Sequence, residues 1–205
     1  IIGYADMLRS GNLPEDMRFK AASYIFSEGK RLENLSLSLM SLQVVGRSET
    51  EARPVNMRKL CAEAARISHP AMKAKGLRLS VQAEEGTLQG DGALLQTLLQ
   101  NLLDNARKAT AAGGQVALTG RKTEEGYQVT VADQGRGIPA GELNKITEPF
   151  YMVDKSRSRA EGGAGLGLAL CKRIAELHRG RLRFESKEGQ GTMVTVSLGG
   201  TADGQ

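Results

Sequence analysis

Aromatic side chains are scarce in this chain, at 4% of 205 residues and with no tryptophan. Few platforms remain on which bases could stack, so the net charge of +5 does not by itself make a nucleic-acid surface. A basic balance also suits a protein that binds a polyphosphate. Cysteine is nearly absent. Cys61 and Cys171 lie in segments with an amphipathic helical pattern and form neither a disulfide framework nor a zinc site. Two buried thiols suit a reducing compartment. No run approaches the roughly 18 apolar residues needed to span a bilayer. The chain opens at Ile1-Ile2-Gly3-Tyr4 without a signal-peptide pattern or an initiator methionine. It therefore reads as the cytoplasmic piece of a longer protein, whose membrane attachment would lie elsewhere. Only two histidines occur. His69 precedes Pro70 at an expected helix kink, and His178 falls in the last turn of a helix, where partial positive charge suits the dipole. Both read as structural.

Against these absences stands a clear apolar seam. Ala21, Ile25, Leu32, Leu35, Leu39 and Leu42 follow alternating steps of three and four, with Glu28 in the one polar slot. A heptad pattern over three repeats predicts a coiled-coil or bundle helix. Ile1–Arg9 reads as the end of an earlier helix, and Ser10-Gly11-Asn12-Leu13-Pro14-Glu15-Asp16 as the turn between them. A hairpin with such a seam cannot bury it alone, which predicts a homodimer through residues 1–46; packing against the chain's own globular domain is the alternative. Gly46–Arg53 reads as a polar linker.

Residues 52–199 read as an α/β domain, with 200–205 a tail. The pattern predicts an extended piece at Val55–Met57, a helix to about Ala74 and a strand at Leu77–Val81. A helix over Gly92–Ala111 follows, closed by Gly113-Gly114. Next come a hairpin of Val116–Thr119 and Tyr127–Ala132, a glycine-rich stretch to about Gly163, and a helix to His178 capped by Gly180. A last hairpin pairs Arg181–Glu185 with Met193–Leu198.

Four short segments carry chemistry. In Gln100-Asn101-Leu102-Leu103-Asp104-Asn105-Ala106-Arg107-Lys108, helical spacing puts Asn101, Asn105 and Lys108 on one face. Two amide oxygens beside an ammonium suit magnesium carrying phosphate oxygens, although a solvated polar face has the same pattern. Asp133-Gln134-Gly135-Arg136-Gly137-Ile138 follows a strand. A carboxylate there can accept from an exocyclic amine such as adenine's, and glycines admit a flat ring; a simple Asx turn is equally compatible. Gly162-Gly163-Ala164-Gly165-Leu166-Gly167-Leu168-Ala169-Leu170 runs into a helix whose first amides can cradle phosphate. No Gly-Lys-Ser/Thr follows, so it is not a P-loop. Gly189-Gln190-Gly191-Thr192 is a tight turn with a hydroxyl.

In order and spacing these segments resemble the N, G1, G2 and G3 boxes of the histidine-kinase ATPase domain, with Glu148-Pro149-Phe150-Tyr151 similar to its F box. Ile2-Gly3-Tyr4-Ala5-Asp6-Met7-Leu8 resembles the stretch after the family's phosphoacceptor motif, and Ser27–Leu35 its second bundle helix. The resemblance implies an α+β protein: a helical hairpin of a dimeric four-helix bundle, then a two-layer sandwich of the gyrase-type ATPase fold with a mixed sheet. It implies ATP or ADP with magnesium, a response-regulator receiver domain as partner, and transfer of the γ-phosphoryl to a histidine that would fall before Ile1. A chain without that histidine would not phosphorylate itself. Carried over by position, Asn105 would be the main magnesium ligand, with Asn101 beside it, and Lys108 would contact phosphate. Asp133 would hold the adenine amine in a pocket shaped by Gly135, Gly137 and Ile138. Phe150, Gly163, Gly165, Leu166 and Gly167 would line the ATP lid, and Thr192 would close the turn near the base. Met152 stands where many relatives carry an arginine; Lys155, Arg157 or Arg159 could replace it. Alternatives are a chaperone- or mismatch-repair-like ATPase clamp, whose members carry glutamate where Asn101 stands, and a catalytically silent ATP-binding scaffold.

Overall fold

The computed structural model describes residues 1–11, 13–45, 52–154 and 165–199, apart from the side chains of 30, 31 and 33–45. The chain begins with a helical hairpin. Helix α1 (Ile2–Arg9) stops at Ser10, whose hydroxyl donates back to the Met7 carbonyl at 2.7 Å. Helix α2 (Glu15–Val45) opens on Glu15 and Asp16, two acids that complement the positive end of the helix dipole. The Tyr4 and Tyr24 rings meet across the hairpin with centroids 4.7 Å apart. On the expected seam Ala21 is buried, whereas Leu32 is 57% exposed. The side chains of Leu35, Leu39 and Leu42 lie outside those described. Helix α2 also approaches helix α5 of the second unit. No described helix is long and apolar enough to cross a membrane.

The second unit is a mixed sheet with helices on one face. Its elements are β1 (Arg53–Asn56), α3 (Met57–Ala74), β2 (Arg78–Ala83), β3 (Thr87–Gly90), α4 (Gly92–Ala109), β4 (Gln115–Thr123) and β5 (Gly126–Asp133). After a 3₁₀ turn at Ala140–Glu142 come α5 (Gly167–Leu177), β6 (Arg181–Lys187) and β7 (Gly191–Gly199). The large sheet has the order β2-β4-β5-β7-β6. β2 runs parallel to β4 and every other pairing is antiparallel. Alternation sets the faces: Val116 and Leu118, Tyr127, Val129 and Val131, and Val194, Val196 and Leu198 all point into the core. Leu95, Leu98, Leu99, Leu102 and Leu103 of α4 meet them. Truncating one such leucine to alanine costs about 2–5 kcal/mol.

Several boundaries differ from the sequence expectation, for local reasons. β3 had no alternating signal, being four residues long, and it pairs with β1 in a separate two-stranded sheet. The expected extended piece is β1, which ends at Asn56 rather than Met57, because the Asn56 side chain accepts from the Lys59 amide and starts α3 there. α3 does run to Ala74 with Pro70 inside it, as expected. α4 ends at Ala109 rather than Ala111, since Thr110 Oγ1 turns back onto the Ala106 carbonyl. α5 starts only at Gly167, because Gly165 sits at φ +70, outside the right-handed helical region. At the far end of α5 the left-handed residue is Arg179, at φ 51, and not Gly180. Gly180 closes the motif instead, donating to the Ala175 carbonyl at 2.7 Å.

Candidate functional site

Helix α4 is the backbone of the site. Asp91 caps it, its carboxylate accepting from the Ala93 and Leu94 amides. At its other end Lys75, which caps the C-terminus of α3, donates to the Arg107 and Lys108 carbonyls at 2.7 and 3.1 Å. α5 runs antiparallel beside it. His178 accepts from the Asp91 amide, Cys171 Sγ contacts the Leu98 carbonyl, and Gly167 faces Asn101. The N-terminus of α5 therefore lies against the Asn101 turn of α4, and Asn105 is one turn further on the same face.

The expected residues fall out as follows. Asn101 Nδ2 donates to the Thr97 carbonyl of its own helix at 2.8 Å, which leaves its oxygen directed at Gly167. A Cβ on Gly167 would lie 2.8 Å from that oxygen. Asn105 Nδ2 is buried and has no hydrogen-bond partner. Among the described residues the only other such side chain is Gln96, on the face of α4 where Gln100 bonds to Ser68 and Ala64 of α3. A buried N–H donor without a partner costs about 1–3 kcal/mol, a cost that Asn105 and Gln96 both carry here. Lys108 is held by Asp104, Nζ to Oδ2 at 2.8 Å, and Arg107 grips the same carboxylate at 2.6 Å. Burial works against the ionised Asp104, yet the two cations prevail and keep its pKa below the ordinary value.

Asp133 ends β5 opposite Thr192 of β7. Burial raises its pKa, while the Gly135 and Thr192 backbone amides partly counter this by donating to the carboxylate. The Gly135 bond is 2.8 Å long. A Cβ on Gly135 would lie 2.7 Å from Asp133 Oδ1 and 2.6 Å from the Ala109 carbonyl. The loop after β5 thus packs on the last turn of α4, a contact closed by Arg136 N donating to that carbonyl at 3.3 Å. Asp133 and the Asn105 end of α4 are brought together in this way. Gly137 has φ +68 and its missing Cβ would strike the Lys187 carbonyl, so only glycine fits. Ile138 donates its amide to Ser186. Phe150, 55% exposed, sits at φ 65 and donates its amide to the Gly165 carbonyl at 2.8 Å, while Leu166 is buried at the start of α5. Met152 is half-buried. Lys155, Gly163, Arg157 and Arg159 lie outside the described residues.

Ser186 was not foreseen. Its hydroxyl joins Ile138 N, the Gly191 carbonyl and Thr192 Oγ1, tying the loop after β5 to the β6–β7 turn. The signal was hairpin register: Ser186 falls opposite Thr192. His178 is structural, as expected, but as an acceptor. Nδ1 lies against the Ile174 carbonyl and Nε2 receives the Asp91 amide, so the buried ring ties the end of α5 to the start of α4. His69 is exposed on α3. Both cysteines are free and buried.

Residues 90–201, more than half the chain, match the family described as Histidine kinase-, DNA gyrase B-, and HSP90-like ATPase. The chain belongs to this family. Within it, sensor histidine kinases are the relatives. The sensor-like histidine kinase SenX3 of Mycolicibacterium smegmatis is 32% identical over 94% of this chain and 50% of its own length. Full-length ShkA, solved in complex with AMPPNP, superposes at a TM-score of 0.75 with 26% identity, over 94% of this chain and 41% of that one. Histidine kinase ThkA, solved with the response regulator TrrA, shares the fold at a TM-score of 0.76 and 20% identity, over 98% and 57%. The chain spans half or less of the length of the curated relatives it matches. The expected α+β architecture with a mixed sheet is the observed one, and the relatives within this ATPase family are two-component sensor histidine kinases.

Proposed function

We propose that this ATPase-family domain of a sensor histidine kinase binds ATP or ADP with magnesium between α4, the loop after β5 and the start of α5, and supplies nucleotide for phosphoryl transfer to a histidine. The observation that carries the reading is the buried Asn105 Nδ2, a donor without a partner that a nucleotide phosphate oxygen would satisfy, on the helix end that packs against the Asp133 loop. Asn101 and Asn105 offer amide oxygens, which hard cations prefer. Magnesium would rest on these amides together with nucleotide phosphates. Bound magnesium would neutralise phosphate charge. Lys108, released from Asp104, adds a second positive charge. Asp133 accepts from the adenine amine in a pocket that Gly135, Gly137 and Ile138 shape through the course of the loop after β5. Gly165, Leu166, Gly167 and Phe150 would form the phosphate side, with roles there for Gly163 and Lys155 resting on the sequence resemblance alone, and Thr192 would close the base side.

Residues 1–46 would form the dimerising hairpin and 52–199 the catalytic unit, with a receiver domain docking on the hairpin and the whole lying in the cytoplasm. ThkA, solved with its response regulator, lends the partner by analogy. Neither histidine of this chain is placed to accept phosphate, His178 being fully bonded and His69 standing on α3. Incubation of the chain with γ-labelled ATP is expected to give no acid-labile, base-stable label.

Calorimetric titration with ADP and magnesium tests the site. Asn105→Ala and Asp133→Ala are each expected to weaken binding about tenfold or more, on the scale of a hydrogen bond to a charged group. Asn105→Ala removes no internal hydrogen bond and keeps the melting temperature. No heat of binding in the wild type would end the proposal. An amide at Asn101 has no basic site to deprotonate water; steady ATP hydrolysis would instead favour the clamp-type ATPase.

A further inference from the structure

We propose that Ser186 sets the base preference of this site by fixing the direction in which the Thr192 hydroxyl donates; the inference rests on the nucleotide reading above. Asp133, Thr192 and Ser186 stand in register in one row across β5, β7 and β6. Directly opposed residues on antiparallel strands share a face, here the helix-covered one. The rows behind them, such as Val131, Val194 and Phe184, are apolar. The polar row therefore marks the end of the core and the start of the pocket.

The Ser186 hydroxyl makes three contacts: 2.8 Å to Ile138 N, 2.9 Å to the Gly191 carbonyl and 2.9 Å to Thr192 Oγ1. A hydroxyl has one proton and two acceptor lone pairs. The Ile138 amide can only donate, and the Gly191 carbonyl can only accept. The Ser186 proton must therefore go to Gly191. The third contact is satisfied only if Thr192 donates its own proton to Ser186. No other arrangement satisfies all three.

Thr192, at 8% exposure, then has only lone pairs to offer a ligand. Ionised Asp133 beside it is likewise acceptor-only. Two acceptors with no opposing donor select a purine carrying an amino group at this edge. Such an amino group can give a proton to each acceptor, whereas a 6-oxo purine has only its N1 proton to give and sets O6 against the second acceptor, leaving a buried group unpaired, and is disfavoured for that reason. Ser186 touches no base. It is a positioning residue acting through Thr192.

Calorimetry of the 205-residue chain with ADP and with inosine diphosphate, each in magnesium buffer, reads the preference as an affinity ratio. In Ser186→Ala the Thr192 proton is free to turn to the ligand, and the ADP-to-IDP ratio is expected to fall about three- to tenfold, the size of one neutral hydrogen bond. Ser186→Thr keeps the oxygen and the proton and holds the ratio. A purely structural contact would weaken both nucleotides together; an unchanged ratio in folded Ser186→Ala overturns the proposal. If Ser186→Ala does not fold, Thr192→Val decides, since loss of the acceptor must lower the ratio, and an unchanged ratio again overturns it. A wild type that takes up neither nucleotide defeats the nucleotide reading itself, whereas one that binds ADP with a Ser186-independent ratio defeats this inference alone.

Discussion

Burial holds the Asp133 carboxyl above its ordinary pKa of 3.8 against two donated amides. With the folded pKa above the unfolded one, the native state binds the proton more tightly. Ionisation of Asp133 then works against folding at neutral pH, and this effect fades as pH falls through the folded pKa. Asp133→Asn is accordingly expected to keep or raise the melting temperature at pH 7, by a margin that shrinks in acid, as thermal melts across pH would show. The same carboxylate must be charged to receive an amine, so ADP affinity should fall as pH drops through a value above 3.8. A site residue retained against stability is the pattern expected of function. The thiols follow the opposite logic. Desolvation pushes Cys61 up to about 11 and Cys171 higher still, and a thiol reacts as its thiolate. Neither is expected to react with Ellman's reagent in the native protein, and both should react in denaturant.

The elements hold these residues through a few end contacts. The last turn of α4 carries Lys108 and leaves its carbonyls pointing outward, where no intrahelical donor exists. The Lys75 ammonium fills that position from the C-terminal cap of α3. Lys75→Met is expected to cost about 1–2 kcal/mol, the range for a charged hydrogen bond at a helix C-terminus, seen as a lower denaturation midpoint. ADP affinity should weaken with it, because Asn105 lies on the same turn. Gly137 joins the loop after β5 to β6, and Gly189 N donates to the Arg136 carbonyl at 2.6 Å beside it. Gly137→Ala would force a side chain into the Lys187 carbonyl at positive φ. A loss of about 2–3 kcal/mol is expected, and the Asp133 loop should lose its seat on α4 along with it.

For the whole molecule, the hairpin leaves Phe19, Phe26 and Leu32 exposed at 76%, 70% and 57%, more apolar surface than a lone hairpin tolerates. Sedimentation is expected to show a dimer, which Leu32→Glu weakens while ADP binding by 52–199 persists. The hairpin, the helices and both long strand pairs were legible in the residues, because a period of 3.6 or 2 is a property of the sequence. So were the chemical segments, since Asn101, Asn105, Asp133 and the glycines keep their order along the chain. The short strand β3 was not, because four residues carry no period and its partners on β1 are more than thirty positions away. Ser186 stayed hidden as well: a serine in an alternating strand gives no sign of which loop it will meet. The sequence by itself determined which side chains could hold nucleotide and which faces must be buried, as these depend on residue type and spacing. Only the tertiary structure decided that Lys108 rests on Asp104, that Asn105 lacks a partner and that Thr192 is turned into an acceptor. Hydrogen bonds depend on where distant segments come together, and that is set by the packing of the whole core.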